Sequence, residues 1–61
     1  MKESLRDKLI RRIEDMQQRV IQLKNNTIEY AENNDYENAM KNDIKYRQLK
    51  IVVQELTKLI D

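Results

Sequence analysis

The first half of the chain carries a regular pattern of apolar positions. Seven positions follow one another in alternating steps of four and three residues: Leu9, Ile13, Met16, Val20, Leu23, Thr27 and Tyr30. Such steps place side chains along one stripe of an α-helix, as in a coiled coil. The pattern predicts a first helix over residues 3–32. Ile10, Ile21 and Ile28 lie beside the stripe and widen it beyond what one neighbouring helix covers.

The second half predicts a helix over residues 35–60 with a less regular pattern. At about 100° per residue, the early apolar residues fall on one side of this helix, at Tyr36, Ala39, Met40 and Ile44. The later ones fall on nearly the opposite side, at Leu49, Val52, Val53, Leu56, Leu59 and Ile60. We therefore expect one half of the helix to pack on the first helix and the other half on a second chain. The alternative is a loosely amphipathic helix in a plain hairpin.

Turn-forming residues cluster in mid-chain at 33–35. Asn33 suits the left-handed position just past a helix, which asparagine tolerates. Asn34, followed three residues later by Glu37, resembles a capping box. The predicted hairpin turn comprises Asn33, Asn34, Asp35, Tyr36 and Glu37.

The predicted fold is all-α: a two-helix antiparallel hairpin that dimerises into a four-helix bundle. Folding at the turn pairs residues whose numbers sum to about 67 and makes a rod about 40–45 Å long. The expected neighbours are Thr27 with Met40, Leu23 with Ile44, Val20 with Arg47, and Met16 with Ile51. The surface expected to contact a second chain or a partner comprises Ile10, Ile21, Ile28, Tyr46, Leu49, Val52, Val53, Leu56 and Leu59.

Composition favours long helices and self-association. The 61 residues include no Gly, Pro, Cys, His or Trp, so turns are few and neither a disulfide nor a zinc site is expected to stabilise the domain. A lone chain of this size buries too little surface to be more than marginally stable. Without His or Cys, and with no glycine-rich phosphate loop, we expect no enzyme activity, catalytic residue, cofactor or metal.

Charge is distributed unevenly along the chain. Residues 1–24 and 44–61 carry +3 and +2, whereas residues 25–43 carry −4. The hairpin would therefore have a basic end and an acidic turn. These charges are explained by solvated ion pairs, by steering onto an oppositely charged protein, or by phosphate contacts. The candidates for phosphate contacts are Arg6, Lys8, Arg11, Arg12 and Arg19.

Two residue groups near the middle of the chain have structural interpretations. Asn42 falls at a seam position of the second helix, where it is either a modest flaw or a buried polar pair with Asn25 or Asn26 that fixes the register. Tyr30 and Tyr36 flank the turn and are expected to pack across it; the alternative is that Tyr36 and Tyr46, if partly exposed, are anchors for a binding partner.

Around the turn the chain follows the pattern of an apolar first helix, an acidic Asp-aromatic-Glu turn and a small residue one turn on. The matching residues are Leu23, Ala31, Glu32, Asp35, Tyr36, Glu37 and Ala39. On these residues, segment 23–46 resembles the UVR-type helical interaction hairpin of bacterial excision-repair and protease-regulator proteins. It departs where Asn42-Asp43-Ile44 replaces the family's Leu-Arg-Asp and where Thr27 replaces a larger apolar residue. The resemblance implies a module that pairs hairpin to hairpin.

These patterns together favour an interaction protein. We expect one domain over residues 1–61, complete in itself, since the sequence starts at Met1 and has no linker at either end. We expect a dimeric regulator, inhibitor or adaptor of bacterial or phage type that binds itself and another protein through apolar helix faces. The alternatives are a small dimeric nucleic-acid-binding protein that uses the basic end and a purely structural assembly unit. No apolar run reaches membrane-spanning length and the start lacks a secretion signal, so we expect a cytoplasmic protein.

Overall fold

Two antiparallel α-helices make up the fold. The computed structural model describes residues 3–60, in which α1 spans Leu5–Glu32 and α2 spans Tyr36–Lys58. The molecule is a rod of 49 × 21 × 13 Å, one helix thick. The predicted all-α hairpin is confirmed, with helix bounds close to those expected. Met1, Lys2 and Asp61 of the predicted 1–61 domain lie outside the described residues.

Helix α1 begins at a polar cap. Ser4 has an extended backbone, and its hydroxyl accepts a hydrogen bond from the backbone N–H of Asp7 at 3.1 Å. This contact satisfies one of the free donors of the first turn, and the Asp7 carboxylate lies near the positive end of the helix dipole. The cap explains why α1 begins at Leu5, slightly later than expected.

Helix α1 ends in a Schellman motif built on asparagine. The Asn34 N–H donates to the Ala31 carbonyl at 3.1 Å, and the Asp35 N–H donates to the Tyr30 carbonyl at 2.8 Å. Asn34 takes the left-handed conformation, with φ of 61°, whereas Asn33 has φ of −88°. Our placement of Asn33 at the left-handed position is therefore wrong by one residue, because α1 continues through Glu32 and closes on Asn33.

Helix α2 is capped by Asp35. Its carboxylate accepts from the Asn38 backbone N–H at 3.4 Å and from the Asn38 side-chain amide at 2.7 Å. The expected capping box of Asn34 and Glu37 does not form. Asn34 is the left-handed residue of the motif that ends α1, and its side-chain oxygen accepts a hydrogen bond from the Tyr36 hydroxyl at 3.0 Å.

The predicted apolar stripe of α1 faces α2. Ile13 is buried, and the other stripe residues from Leu9 to Thr27 are half-buried. Tyr30, at the turn end, is exposed. The steps of four and three residues therefore identified the packed side of α1 correctly.

Helix α2 presents one straight row of side chains to α1, which we call the seam. It also advances in steps of three and four residues, through Ala39, Asn42, Tyr46, Leu49, Val53, Leu56 and Ile60. Met40 and Ile44, expected against α1, are 68% and 55% exposed. The predicted swing of the buried side halfway along α2 is therefore wrong. The packed row runs unbroken through the polar residue Asn42 and the hydroxyl-bearing Tyr46.

Two contacts fix the register of the hairpin. The Asn42 side-chain amide donates to the Thr27 hydroxyl at 2.9 Å, and the Arg6 guanidinium donates to the Ile60 carbonyl at 3.4 Å. The residue numbers of these pairs sum to 69 and 66, in agreement with the expected alignment. The facing residues differ, because Asn42 and not Met40 lies opposite Thr27. Asn42 thus forms a polar pair, but with Thr27 in place of Asn25 or Asn26.

Candidate interaction surface

Helix α2 carries a second row of apolar side chains that α1 does not cover. We call it the outer stripe: Tyr36, Met40, Ile44 and Ile51. At about 100° per residue, Ile44 and Ile51 lie nearly opposite the centre of the seam. Ile51 is 59% exposed and Tyr36 is 62% exposed. Helix α2 therefore has apolar residues on two sides, as expected. The two rows run side by side along the helix and do not occupy separate halves of it.

Directly opposite α2, helix α1 has no apolar row comparable with the outer stripe among its described residues; its exposed isoleucines, Ile21 and Ile28, lie toward one flank. Its side opposite α2 carries polar and charged side chains at seven-residue intervals, all of them exposed: Arg11, Gln18, Asn25 and Glu32. The difference between the helices is informative, because a helix with apolar residues on two opposite sides is typical of one packed between neighbours. The outer stripe is the candidate interaction surface.

Ion pairs within α2 border the outer stripe, and one of them places Arg47 between Ile44 and Ile51 on the same side of the helix. They are Glu37–Lys41, Asp43–Arg47 and Glu55–Lys58, at 3.3, 3.0 and 3.1 Å. These pairs are largely exposed, although Asp43 is half-buried, and each contributes only about 0.3–0.5 kcal/mol to the helix. Their main consequence is electrostatic, since each charge beside the stripe has an opposite charge one turn away. A second polypeptide can therefore cover the apolar row without facing an uncompensated charge from these pairs.

The residues predicted to contact a partner fall in several places. Four of them belong to the seam: Tyr46, Leu49, Val53 and Leu56. Val53 is only 8% exposed, so its assignment to a partner surface is wrong. Its side chain is buried because the seam continues straight along α2. Ile10 is half-buried beside the α1 stripe, whereas Ile21, Ile28, Val52 and Leu59 are exposed.

The exposed members of that predicted set lie on two different flanks of the hairpin. Ile21 borders a shallow groove that it shares with Gln17, Lys50 and Gln54. Val52 borders another groove, which is also lined by Arg19, Leu23, Lys45, Gln48 and Leu49. The predicted residues therefore do not form one continuous surface.

The basic residues proposed for phosphate contacts are also separated. Arg12 and Arg19 line one shallow groove, but Asp15 lies in the same groove. Arg11 forms an ion pair with Glu3, and the Arg6 guanidinium bonds to a backbone carbonyl at the end of α2. Lys8 is exposed on α1. Of the five residues, Arg12 and Arg19 are the pair that lines one groove.

Sequence reasoning assigned the outer stripe to the wrong neighbour. Met40 and Ile44 were expected to contact α1, and Ile51 was expected near Met16. The signal that would have identified the stripe is the unbroken row from Ala39 to Ile60, which leaves Met40, Ile44 and Ile51 on the other side of α2. Tyr36, expected to pack across the turn, is exposed, and its hydroxyl bonds to Asn34.

Over residues 3–60, no group of acidic side chains is arranged to hold a metal ion, and neither helix combines the length and apolar character that crossing a bilayer requires. Comparison of the chain with protein-family models, with curated proteins and with solved structures found no match.

Proposed function

We propose that this chain is a non-enzymatic protein–protein interaction module that works as a dimer, in the role of a small regulator, inhibitor or adaptor of bacterial or phage type. One observation carries the proposal: α2 has apolar side chains on two opposite sides, and α1 covers only one of them. Exposed rows of this kind on a small protein mark contact surfaces for other polypeptides. Tyr36 and Met40 belong to residue types that are enriched at such contacts.

The surface area of the chain supports association. The folded chain exposes 5357 Å². A compact monomer of its mass, 7.5 kDa, would expose about 4,200 Å². The excess is of the same order as the roughly 800 Å² that each partner contributes to a standard protein interface. A two-helix rod has so much surface because each helix has only one neighbour, and a second hairpin removes part of it from water.

The charge distribution supports docking of the dimer onto another protein. The stretch 25–43, which includes the turn, carries one basic against five acidic residues. A local patch of one sign is enough to steer an encounter with an oppositely charged surface. The resemblance to the UVR-type hairpin favours the same type of function, because that family pairs hairpins.

A small dimeric nucleic-acid-binding protein is the second candidate function. Its supporting observation is that Arg12 and Arg19 border one groove, and that Arg19 shares a second groove with Lys45. Three cations on one flank resemble a short phosphate-binding track. Asp15 beside Arg12 and Arg19 weakens this interpretation, which therefore ranks second.

Sedimentation equilibrium at micromolar concentration, in low and in high salt, tests the main proposal. We expect about twice the 7.5 kDa chain mass in both, because apolar association persists when salt screens charges. A cooperatively melting monomer at these concentrations would overturn the proposal. Mobility-shift assays with DNA and RNA address the second candidate, which requires binding at low salt that is lost as salt rises.

A further inference from the structure

We infer that the occupant of the outer stripe is a second copy of this chain, with the two α2 helices antiparallel about a twofold axis near Ile44. This inference rests on the proposed function, since it specifies how the dimer forms. It names a partner, a surface and an orientation, each of which can be tested separately.

The layout of the stripe is self-complementary in this orientation. Its apolar residues extend from Tyr36 to Ile51, and Ile44 lies near the midpoint. A twofold axis there places Ile44 against its own copy and brings Tyr36 of each chain to the level of Ile51 of the other. A twofold contact uses the same patch on both chains, so a row centred on the axis is covered along its whole length.

The charges of α2 favour the antiparallel over the parallel orientation. Residues 35–44 contain three acidic residues and one basic residue, whereas residues 45–58 contain four basic residues and one acidic residue. Antiparallel helices set the acidic half of each chain against the basic half of the other. Parallel helices would place acidic residues against acidic residues and basic against basic, and this repulsion is unfavourable at close approach.

The flanks of the hairpin are poorer surfaces for a second copy. The flank that contains Val52 has a groove lined by Arg19 of α1 and Lys45 of α2. Two copies joined through this flank would bring at least four positive charges together. The flank that contains Ile21 has Lys50 and three glutamines in its groove. In contrast, the charges of the three ion pairs near the outer stripe are neutralised by their partners within α2.

The first test compares two exposed apolar residues, Ile44 and Leu59, which are 55% and 72% exposed, in sedimentation equilibrium of the full chain. Ile44→Lys places a charge on the proposed axis, where it meets its own copy, and we expect it to weaken dimerisation at least tenfold. The matched control, Leu59→Lys, lies outside the stripe, and we expect it to remain dimeric. If Ile44→Lys is as dimeric as the wild type, the outer stripe is not the dimer contact.

The second test measures orientation in folded dimers and does not depend on a disruptive variant. The sequence contains no Cys, so a single nitroxide label can be attached through Lys58→Cys or Lys41→Cys. At about 1.5 Å per residue, an axis near Ile44 places the two labels about 42 Å apart along the helices at position 58, but only about 9 Å apart at position 41. Parallel helices would give short distances of similar size at both positions.

The outcomes separate the inference from the proposed function. A long distance at position 58 with a short one at position 41 supports the antiparallel dimer. Short distances at both positions in a dimeric protein overturn the inference and leave the interaction module standing. A wild-type chain that stays monomeric at labelling concentration overturns both.

Discussion

The side-chain amide of Asn42 on α2 donates a hydrogen bond to the hydroxyl of Thr27 on α1, at 2.9 Å. The same amide donates to the Leu23 carbonyl, and the Thr27 hydroxyl donates to that carbonyl at 2.8 Å. Over residues 3–60, every buried side-chain nitrogen or oxygen has a hydrogen-bond partner. Sliding α2 along α1 would move the Asn42 amide against apolar side chains, so this polar contact favours the observed register.

Replacing Asn42 by alanine should lower the free energy of unfolding by about 1–2 kcal/mol, because two hydrogen bonds between the helices are lost. Urea denaturation followed by circular dichroism measures the change, with all variants at one protein concentration because association adds to apparent stability. Gln48→Ala, at an exposed position of α2, is the control, and should change stability by less than about 0.5 kcal/mol. Equal losses in the two variants would contradict a structural role for the Asn42 contact.

The packed row of α1 could be predicted from the sequence and that of α2 could not, because polar side chains interrupt the row of α2. The α1 stripe was predictable because six of its seven residues are apolar or aromatic and Thr27 is the single interruption. The α2 seam passes through Asn42 and the hydroxyl-bearing Tyr46. An apolar pattern therefore assigned the early half of α2 to its other side, where Met40 and Ile44 lie. The sequence left open whether Asn42 is a flaw or a packed polar residue, and its contacts with Thr27 and Leu23 show that it packs on α1.

The turn was located correctly, but the left-handed residue and the cap of α2 each lie one residue later than predicted. Asn33, Asn34 and Asp35 all have side chains that can cap a helix, and asparagine is tolerated in the left-handed conformation at either of two positions. Composition cannot distinguish these alternatives. The backbone distinguishes them, because the 2.8 Å bond from the Asp35 N–H to the Tyr30 carbonyl requires the left-handed residue to be Asn34.

Asn34→Gly should stabilise the hairpin by about 0.5–1 kcal/mol, since glycine has no Cβ to oppose the φ of 61°. Asn34→Ala should destabilise it by about 1 kcal/mol, because alanine keeps the Cβ but lacks the short polar side chain that lets asparagine tolerate the left-handed conformation. Thermal melts of both variants at a fixed concentration test the pair. Asn33→Gly provides the matched control, because Asn33 has an ordinary negative φ and glycine there should only lower stability. Stabilisation by Asn33→Gly and not by Asn34→Gly would reverse the assignment.

Asp35→Ala should lower the free energy of unfolding by about 1 kcal/mol, because the first turn of α2 loses the acceptor for the Asn38 N–H. Asp35→Ser keeps an oxygen at the cap and should recover most of the loss. Glu37→Ala is the comparison that separates this cap from the capping box expected from sequence: Glu37 contributes only an exposed ion pair with Lys41, worth a few tenths of a kcal/mol. A larger loss for Glu37→Ala than for Asp35→Ala in urea denaturation would favour the box.

An aspartate substitution in the seam and another in the outer stripe distinguish the side of α2 that packs on α1 from the side that does not. Val53→Asp buries an unpaired carboxylate in the seam, where the side chain is 8% exposed, and should cost about 3 kcal/mol or more, enough to unfold a hairpin of this size. Ile51→Asp changes a side chain that is 59% exposed and should leave α1 and α2 in contact. Far-UV circular dichroism with added sodium sulfate, which favours apolar burial, compares their helix content. We expect helix to be lost in Val53→Asp and largely kept in Ile51→Asp, and the opposite order would show that α2 packs on α1 through the outer stripe.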